Sequence, residues 1–443
     1  MMSARLSPVY VLADERPEPN TSTGGNEVSP YVPQGDGGAT VLQVQRIRRQ
    51  RDGTSPLPGG LAKENGEGTR RRRGDSTTST AHPTATTEHP HFPSKKERKM
   101  KALTMNTYQH LTFQDIPTPK IRDAHEVLVR IKAAAICGSD VHGYDGSTGR
   151  RKPPVIMGHE GAGEVVEVGT AVTVCKPGDR ITFDSTVYCG TCVPCRRGDV
   201  NLCENRRVLG VSCDEYRCDG IFAEYAVVPD HIIYRLPEGL SYVHASLTEP
   251  AAVAAHAIRL TPMELDDSTA VVGTGIIGLL IIKILSASSA GPIIALDTDH
   301  SRHAVAIAAG ASYVFDPRDS DLETKVRELT DGKMVDRVFE AVGATAPVNT
   351  ALNLVRKGGS VTLVGNVSPT IEFPLQSVVT RQIKLIGSCA IAGEYPLVID
   401  MMSRKKLDVT PLISAVAPLS EGQLWFDRLY AKEPGLLKVV LEP

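Results

Sequence analysis

Three textures of hydrophobic and polar alternation divide the chain. Residues 1–99 show neither the period of a helix nor that of a strand; they are rich in Pro, Gly, Ser and Thr and carry basic runs at 46–51, 70–73 and 95–99. Such a segment buries too little apolar area to offset the entropy of ordering, so it is expected to be a disordered, solvated extension. From Met100 to Tyr234 the pattern changes to short alternating runs at 127–131, 163–168, 180–183, 222–228 and 232–236, broken by Gly, Pro and Asp. Period-2 runs at this spacing predict the strands of a compact β-barrel. From Thr269 onward, continuous apolar strands alternate with helical stretches, which predicts a parallel, doubly wound sheet. Its strands are expected at 270–272, 292–296, near Tyr313 and Val338, and at 361–364 and 383–386.

The first strand–helix junction of that third region reads Gly273-Thr274-Gly275-Ile276-Ile277-Gly278 and runs into an apolar helix ending near 289. This is the Rossmann dinucleotide fingerprint in its required setting. Gly273 permits the tight turn, Gly275 admits the pyrophosphate to the backbone, and Gly278 allows close helix packing, while the helix N-terminus around Ile277 supplies amide donors. Asp297 follows nineteen residues after Gly278, where a carboxylate can accept bonds from ribose hydroxyls and repel a 2′-phosphate. NAD is therefore expected over NADP, although Arg302 and His303 stand nearby and can face a phosphate or the adenine. Val364 and Gly365, at the end of a later strand, are further expected cofactor contacts.

Four of the nine cysteines fall in one loop as Cys189-x2-Cys192-x2-Cys195-x7-Cys203. Four thiolates at about 2.3 Å from one centre form a closed structural zinc site. The rivals are a ferredoxin loop, whose fourth cysteine comes sooner and precedes Pro, and a pair of disulfides, which requires an oxidising compartment. Here Glu204 follows Cys203 and no export signal is present, so zinc and a reducing cytoplasm are favoured. Upstream, Cys137-Gly-Ser139-Asp140-Val-His142 and Gly158-His159-Glu160-x2-Gly163-x5-Gly169 offer a thiolate, an imidazole and a carboxylate, a mix that suits a catalytic zinc with one open position. Asp140 is placed to orient an imidazole. Glu249, in Thr248-Glu249-Pro250, is a further candidate ligand whose plainer reading is a charge at a helix N-terminus.

Composition excludes more than it proposes. The net charge of −2 is uninformative, but 34 Lys and Arg against 40 Asp and Glu follow Lys99, which lacks the electrostatic footprint of a zinc-ribbon nucleic-acid binder. No apolar run approaches the length that crosses a membrane. Met100-Lys101-Ala102-Leu103 reads as an ordinary protein start, so the preceding extension is expected to be missing from the native protein; peptides recovered from before Met100 would contradict that.

Together these motifs resemble the zinc-containing medium-chain dehydrogenase/reductase family, most closely its polyol (sorbitol, L-iditol) dehydrogenase branch, over residues 100–443. The resemblance implies an α/β two-domain protein: a GroES-like catalytic domain (100–250) with the structural zinc lobe, a Rossmann NAD domain (251–388) and a last segment (389–443) that returns to the catalytic domain. It implies two zinc ions per subunit, one held by Cys189, Cys192, Cys195 and Cys203, the other by Cys137, His159 and either Glu160 or Glu249. It also implies oxidation of a small-molecule alcohol by hydride transfer to NAD, with Ser139 and then His142 carrying the released proton, in a homodimer or homotetramer with neither nucleic-acid nor membrane partners. A zinc-free quinone reductase on the same plan is argued against by Cys137, His159 and Glu160. One departure bears on substrate: where the polyol branch places an Arg-Tyr pair that contacts sugar hydroxyls, this chain has Ala390-Ile391. That weakens the case for sorbitol and makes a vicinal diol, an alditol phosphate or a threonine-like hydroxy amino acid competitive.

Overall fold

The computed structural model describes residues 98–443 apart from 214, 215, 289 and 290. The expectation of a disordered extension over 1–99 falls on residues 1–97, which lie outside the described residues, except at its end: Lys99 already opens the strand Lys99–Thr107, paired with Pro117, and the Arg98 carbonyl accepts the Thr118 N–H at 2.8 Å, so the ordered chain begins before Met100.

The first half is built on a seven-stranded sheet with Glu126–Ala135 at its centre, paired antiparallel to Glu160–Val168, Tyr225–Pro229 and Lys438–Glu442. In its sequence EVLVRIKAAA, Val127, Val129, Ile131, Ala133 and Ala135 form a fully buried apolar face, while Glu126, Arg130 and Lys132 alternate on the other, where Arg130 is exposed, the in/out pattern of an antiparallel sheet. Arg180–Phe183 and Ile233–Arg235 extend one edge, and Ile413–Pro418 lies on the other, parallel to Lys438–Glu442. The final strands of the chain thus complete the sheet begun near residue 126. A three-stranded sheet of His110–Pro117, Lys99–Thr107 and Val155–Ile156 packs beside it.

Two glycines let the strand that follows His159 sit against its neighbours. A Cβ on Gly163 would lie 2.3 Å from the Arg130 carbonyl oxygen, and one on Gly161 would lie 2.2 Å from Ile221 Cδ1. Gly158 adopts φ +91° directly before His159, with the Phe222 ring 2.8 Å from where a Cβ would be. The strand expected over 222–228 begins only at Tyr225. The preceding residues cross instead to Phe222 N–H···Met157 O at 3.0 Å and Leu103 N–H···Phe222 O at 2.8 Å, which clamps the turn that presents His159.

The second half is a six-stranded parallel sheet in the order Tyr313–Phe315, Ile293–Leu296, Thr269–Val272, Val335–Glu340, Val355–Leu363, Lys384–Gly387. Helix Thr345–Leu354 runs straight into Val355–Leu363, so that strand starts earlier than the apolar run at 361 suggests. The small-residue helix Thr248–Leu260 and the apolar helix Ile276–Ala287 share one buried cluster with helix Tyr395–Ser403. Thr248–Leu260 also carries Glu249 in its first turn, so the element that joins the two halves presents a candidate ligand.

Candidate active site and metal centres

Cys137 lies two residues past strand Glu126–Ala135 and caps a short helix, Gly138–Gly143, its sulfur accepting the Ser139 N–H at 3.4 Å. Its Sγ, a ring nitrogen of His159 and a carboxylate oxygen of Glu160 all lie within 4.8 Å of one another, the spacing of atoms that can share one ion. Asp140, fully buried, places Oδ1 3.5 Å from His159 Nδ1. That contact leaves Nε2 as the ring atom available to a metal. Burial opposes charge on His159, but the Asp140 and Cys137 anions overrule it and hold its pKa well above the usual range. A pocket whose anions pull this hard on a buried imidazole is suited to a cation, and its soft and borderline donors suit zinc.

Two charged residues that the sequence did not single out complete this centre. Arg151 donates to Asp140 Oδ1 from Nη2 at 2.7 Å and Nε at 3.2 Å, and to Ser139 Oγ at 3.3 Å. In sequence it sits in Arg150-Arg151-Lys152, which reads as surface charge. Lys438 Nζ donates to both Glu160 oxygens, at 2.9 and 2.7 Å, and to the Ile136 carbonyl at 3.0 Å, all buried. The available signal was a lone Lys inside the apolar strand Lys438–Glu442 and its preceding leucines. Glu160 is therefore both within reach of the shared ion and neutralised from behind.

Glu249 stands outside the group of three. Its Oε1 accepts the Ser185 hydroxyl at 2.9 Å, and burial pushes its carboxyl up to about 6, opposed by His159 and reinforced by Glu160. Neighbouring Asp184 is pushed up to about 7, first by burial and also by Glu249, against the Thr186 N–H that it accepts. Because the folded chain holds this proton to higher pH than the unfolded chain, it binds more protons between about pH 4 and about 7, and this contribution to stability is lost as pH rises through that window. Asp184→Asn, which keeps an acceptor for Thr186, is expected to flatten that slope. Melting curves across pH should show the variant more stable than wild type by on the order of 4 kcal/mol at pH 8 and level with it near pH 4; parallel curves would contradict the assignment.

The second metal centre is self-contained. The sulfurs of Cys189, Cys192, Cys195 and Cys203 lie within 4.8 Å of one another, at the tip of the ribbon formed by Thr186–Val187 and Arg207–Val208. Backbone N–H groups point at them: Cys189 N to Cys203 Sγ at 3.3 Å, Cys192 N to Cys189 Sγ at 3.4 Å and Asn205 N to Cys203 Sγ at 3.3 Å. Hydrogen bonds from Thr191 pull the Cys189 thiol down to about 5, while burial pushes Cys195 up to about 12. Four sulfurs this close ionise together only around a cation, so the loop fits a zinc ion.

Across a cleft of about 410 Å³ from Cys137's helix stands the glycine loop's domain; His142, Asp297, Arg302 and Gly435 are among its lining residues. Gly273 takes φ +91°, and a Cβ on Gly278 would lie 1.9 Å from the Gly273 carbonyl oxygen. At Gly275, by contrast, only Arg302 Nη1 comes within 4 Å, at 3.9 Å, so the backbone before helix Ile276–Ala287 is open to a pyrophosphate. Ile277 packs into the apolar cluster behind that helix. Asp297 is fixed from the same loop: Oδ2 accepts Thr274 N–H and Oγ1–H, each at 2.7 Å, with Arg302 Nη1 3.8 Å away. Val364 and Gly365 donate their N–H groups to the Glu340 carbonyl at 2.8 and 3.0 Å, at the carboxyl edge of the parallel sheet.

The family model for the alcohol dehydrogenase GroES-like domain matches residues 123–238, and that for zinc-binding dehydrogenases matches 277–404. The chain is 35% identical over 338 residues to the probable D-xylulose reductase A of Aspergillus clavatus, covering 74% of this chain and 93% of the relative. It is 34% identical over 340 residues to the D-arabitol-phosphate dehydrogenase of Enterococcus avium, covering 76% and 94%. In structure it is similar to the alcohol dehydrogenase TADH from Thermus sp. ATN1, with a TM-score of 0.73 and 30% identity, over 77% of this chain and 99% of that one. The chain belongs to the zinc-binding dehydrogenase family with a GroES-like domain, in its polyol dehydrogenase-like part. It is an oxidoreductase of small alcohols that works with zinc and a nicotinamide dinucleotide.

Proposed function

We propose that this dehydrogenase oxidises a secondary hydroxyl of a polyol or related small alcohol to the ketone and passes the hydride to NAD. The observation that carries this is the ligand-capable group Cys137, His159 and Glu160, one wall away from a cleft whose other side is the dinucleotide fold. Cys137, His159 and a glutamate, Glu160 or Glu249, would hold the catalytic zinc. Bound there, zinc supplies a Lewis acid that makes a hydroxyl more acidic. Lys438 and Arg151 neutralise Glu160 and Asp140 from behind, so the donors are held in place without an excess of buried negative charge. Ser139 Oγ, 3.3 Å from Cys137 Sγ, takes the hydroxyl proton, and exposed His142 on the same helix returns it to solvent. Hydride leaves the carbinol carbon as that C–O bond becomes C=O, which gives ketone, NADH and a proton.

Asp297 supports NAD over NADP, because its carboxylate is pinned by Thr274 at the position where a 2′-phosphate would stand. Among the described residues no helix is long and apolar enough to cross a membrane, and a cytoplasmic homo-oligomer remains the reading. Glu249→Ala is expected to keep NADH binding, followed by cofactor fluorescence, while turnover falls by about 10²-fold or more, because losing a ligand of the catalytic ion forfeits charge stabilisation at about tenfold in rate per 1.4 kcal/mol. Undiminished turnover would remove Glu249 from the site.

A further inference from the structure

Buried Asp140 requires a cation, which any lysine could supply, but the contacts of Arg151 go further. Its Nη2 carries two hydrogens, and two acceptors stand before it: Asp140 Oδ1 at 2.7 Å and Ser139 Oγ at 3.3 Å, while Nε reaches the same Asp140 oxygen at 3.2 Å. A planar guanidinium serves both residues at once; an ammonium is a point charge without this fork.

The delivery of Arg151 is rigid. The Arg150 carbonyl accepts the Ser212 and Cys213 N–H groups at 3.1 and 3.2 Å, and the Lys152 N–H and carbonyl both bond Ser212 Oγ, so the backbone is pinned on each side of Arg151. Its aliphatic stem then crosses Gly143, the last residue of Cys137's helix, where a Cβ would lie 2.5 Å from Arg151 Cγ. The side chain is 3% exposed.

Ser139, by contrast, is exposed. A hydroxyl offers one hydrogen and two lone pairs. Arg151 takes one lone pair, and Cys137 Sγ lies 3.3 Å away on the side of the hydrogen. One lone pair therefore stays open to an alcohol hydroxyl, in an orientation that an unanchored serine would hold only part of the time.

We propose that Arg151 is a positioning residue for proton transfer, which holds the Ser139 hydroxyl with its open lone pair toward the alcohol. The alcohol O–H bond breaks as a new Oγ–H bond forms, and the hydrogen that Ser139 already carried leaves toward His142, which lines the cleft. This rests on the relay through Ser139 proposed above and adds to it a residue that acts through Ser139.

Arg151→Ala would strip a buried aspartate of its partner and endanger the fold, so the test uses Arg151→Lys, which keeps the charge and gives up the fork. The substrate is whichever of D-arabitol, sorbitol and (2R,3R)-butanediol the zinc-loaded, full-length enzyme oxidises fastest. The single-turnover rate of NADH formation is expected to fall about tenfold, the size of one charge-assisted hydrogen bond, with both zinc ions retained and the melting temperature little changed. The solvent deuterium isotope effect should grow while that of deuterium on the carbinol carbon shrinks, because proton transfer has become the slower step. In a Ser139→Ala background the same Arg151→Lys change should cost less than about twofold, since residues that act together are not additive. Equal fold-losses in the two backgrounds, or loss of a zinc ion from Arg151→Lys, make Arg151 a structural residue and overturn the proposal while the relay stands. Undiminished turnover in Ser139→Ala overturns the relay itself, and the proposal with it. NADH formed from no alcohol strikes the dehydrogenase reading on which both rest.

Discussion

Replacing His159 by alanine is expected to lower kcat/KM on the order of 10⁴-fold and to remove one of two zinc ions per chain, while the melting temperature changes little and NADH still binds. His159 is one of the three donors whose atoms lie within 4.8 Å of one another, and alanine leaves only Cys137 and Glu160 in that group, too few for a three-ligand zinc site. Loss of the ion forfeits several kcal/mol of charge stabilisation at the reacting oxygen, and each 1.4 kcal/mol is about tenfold in rate. The variant also leaves Asp140 facing only Arg151, with which it is already ion-paired at 2.7 Å, so folding survives. Metal analysis beside steady-state kinetics checks this; a variant with both ions and wild-type kcat/KM would show that His159 is not a ligand.

The second large effect is on stability rather than chemistry. Cys195→Ser is expected to lose the other zinc ion and to melt about 10 °C earlier, with hydride transfer persisting at low temperature. Structural zinc in small peptides contributes about 10–16 kcal/mol to folding at neutral pH, but this lobe is one appendage of a large sheet, so only a fraction of that reaches the global transition. The loss should not stay local, because Asn201 inside the lobe holds the Cys389 carbonyl at 2.7 Å. KM for the alcohol is therefore expected to rise as well. Calorimetry with metal analysis decides: two ions and an unshifted melting temperature in Cys195→Ser would contradict the closed site.

Local pattern carried the parts of this protein that are local. The cysteine spacing, the glycine loop with its strand, helix and acid, and the alternation of the first half all lie within a few turns of chain, and each dictates a backbone form. The six-stranded parallel sheet followed from those runs, with strands near the expected positions save Val355–Leu363; in the antiparallel sheet Tyr225–Pro229 begins three residues late and Glu160–Val168 three residues early. What stayed hidden depends on contacts across the chain. Lys438 meets Glu160 from 278 positions away, and Ser185 meets Glu249 from 64; no periodicity in either segment announces the partner. Arg151 is eleven positions from Asp140, yet it stands among other basic residues before Pro153, where charge usually faces water. Glu249's separation from the group formed by Cys137, His159 and Glu160 likewise emerges only when the helix that bears it is packed.

Metal-assisted transfer of hydride from a small alcohol to a bound nicotinamide is the central step. Its most direct test is zinc quantification on the purified full-length chain together with NADH formation from a panel of diols, polyols and alditol phosphates, before and after chelation. Two zinc ions per chain, and turnover that vanishes when the more labile ion is stripped and returns with added zinc, is the predicted result. A metal-free chain that reduces NAD at the undiminished rate would contradict it.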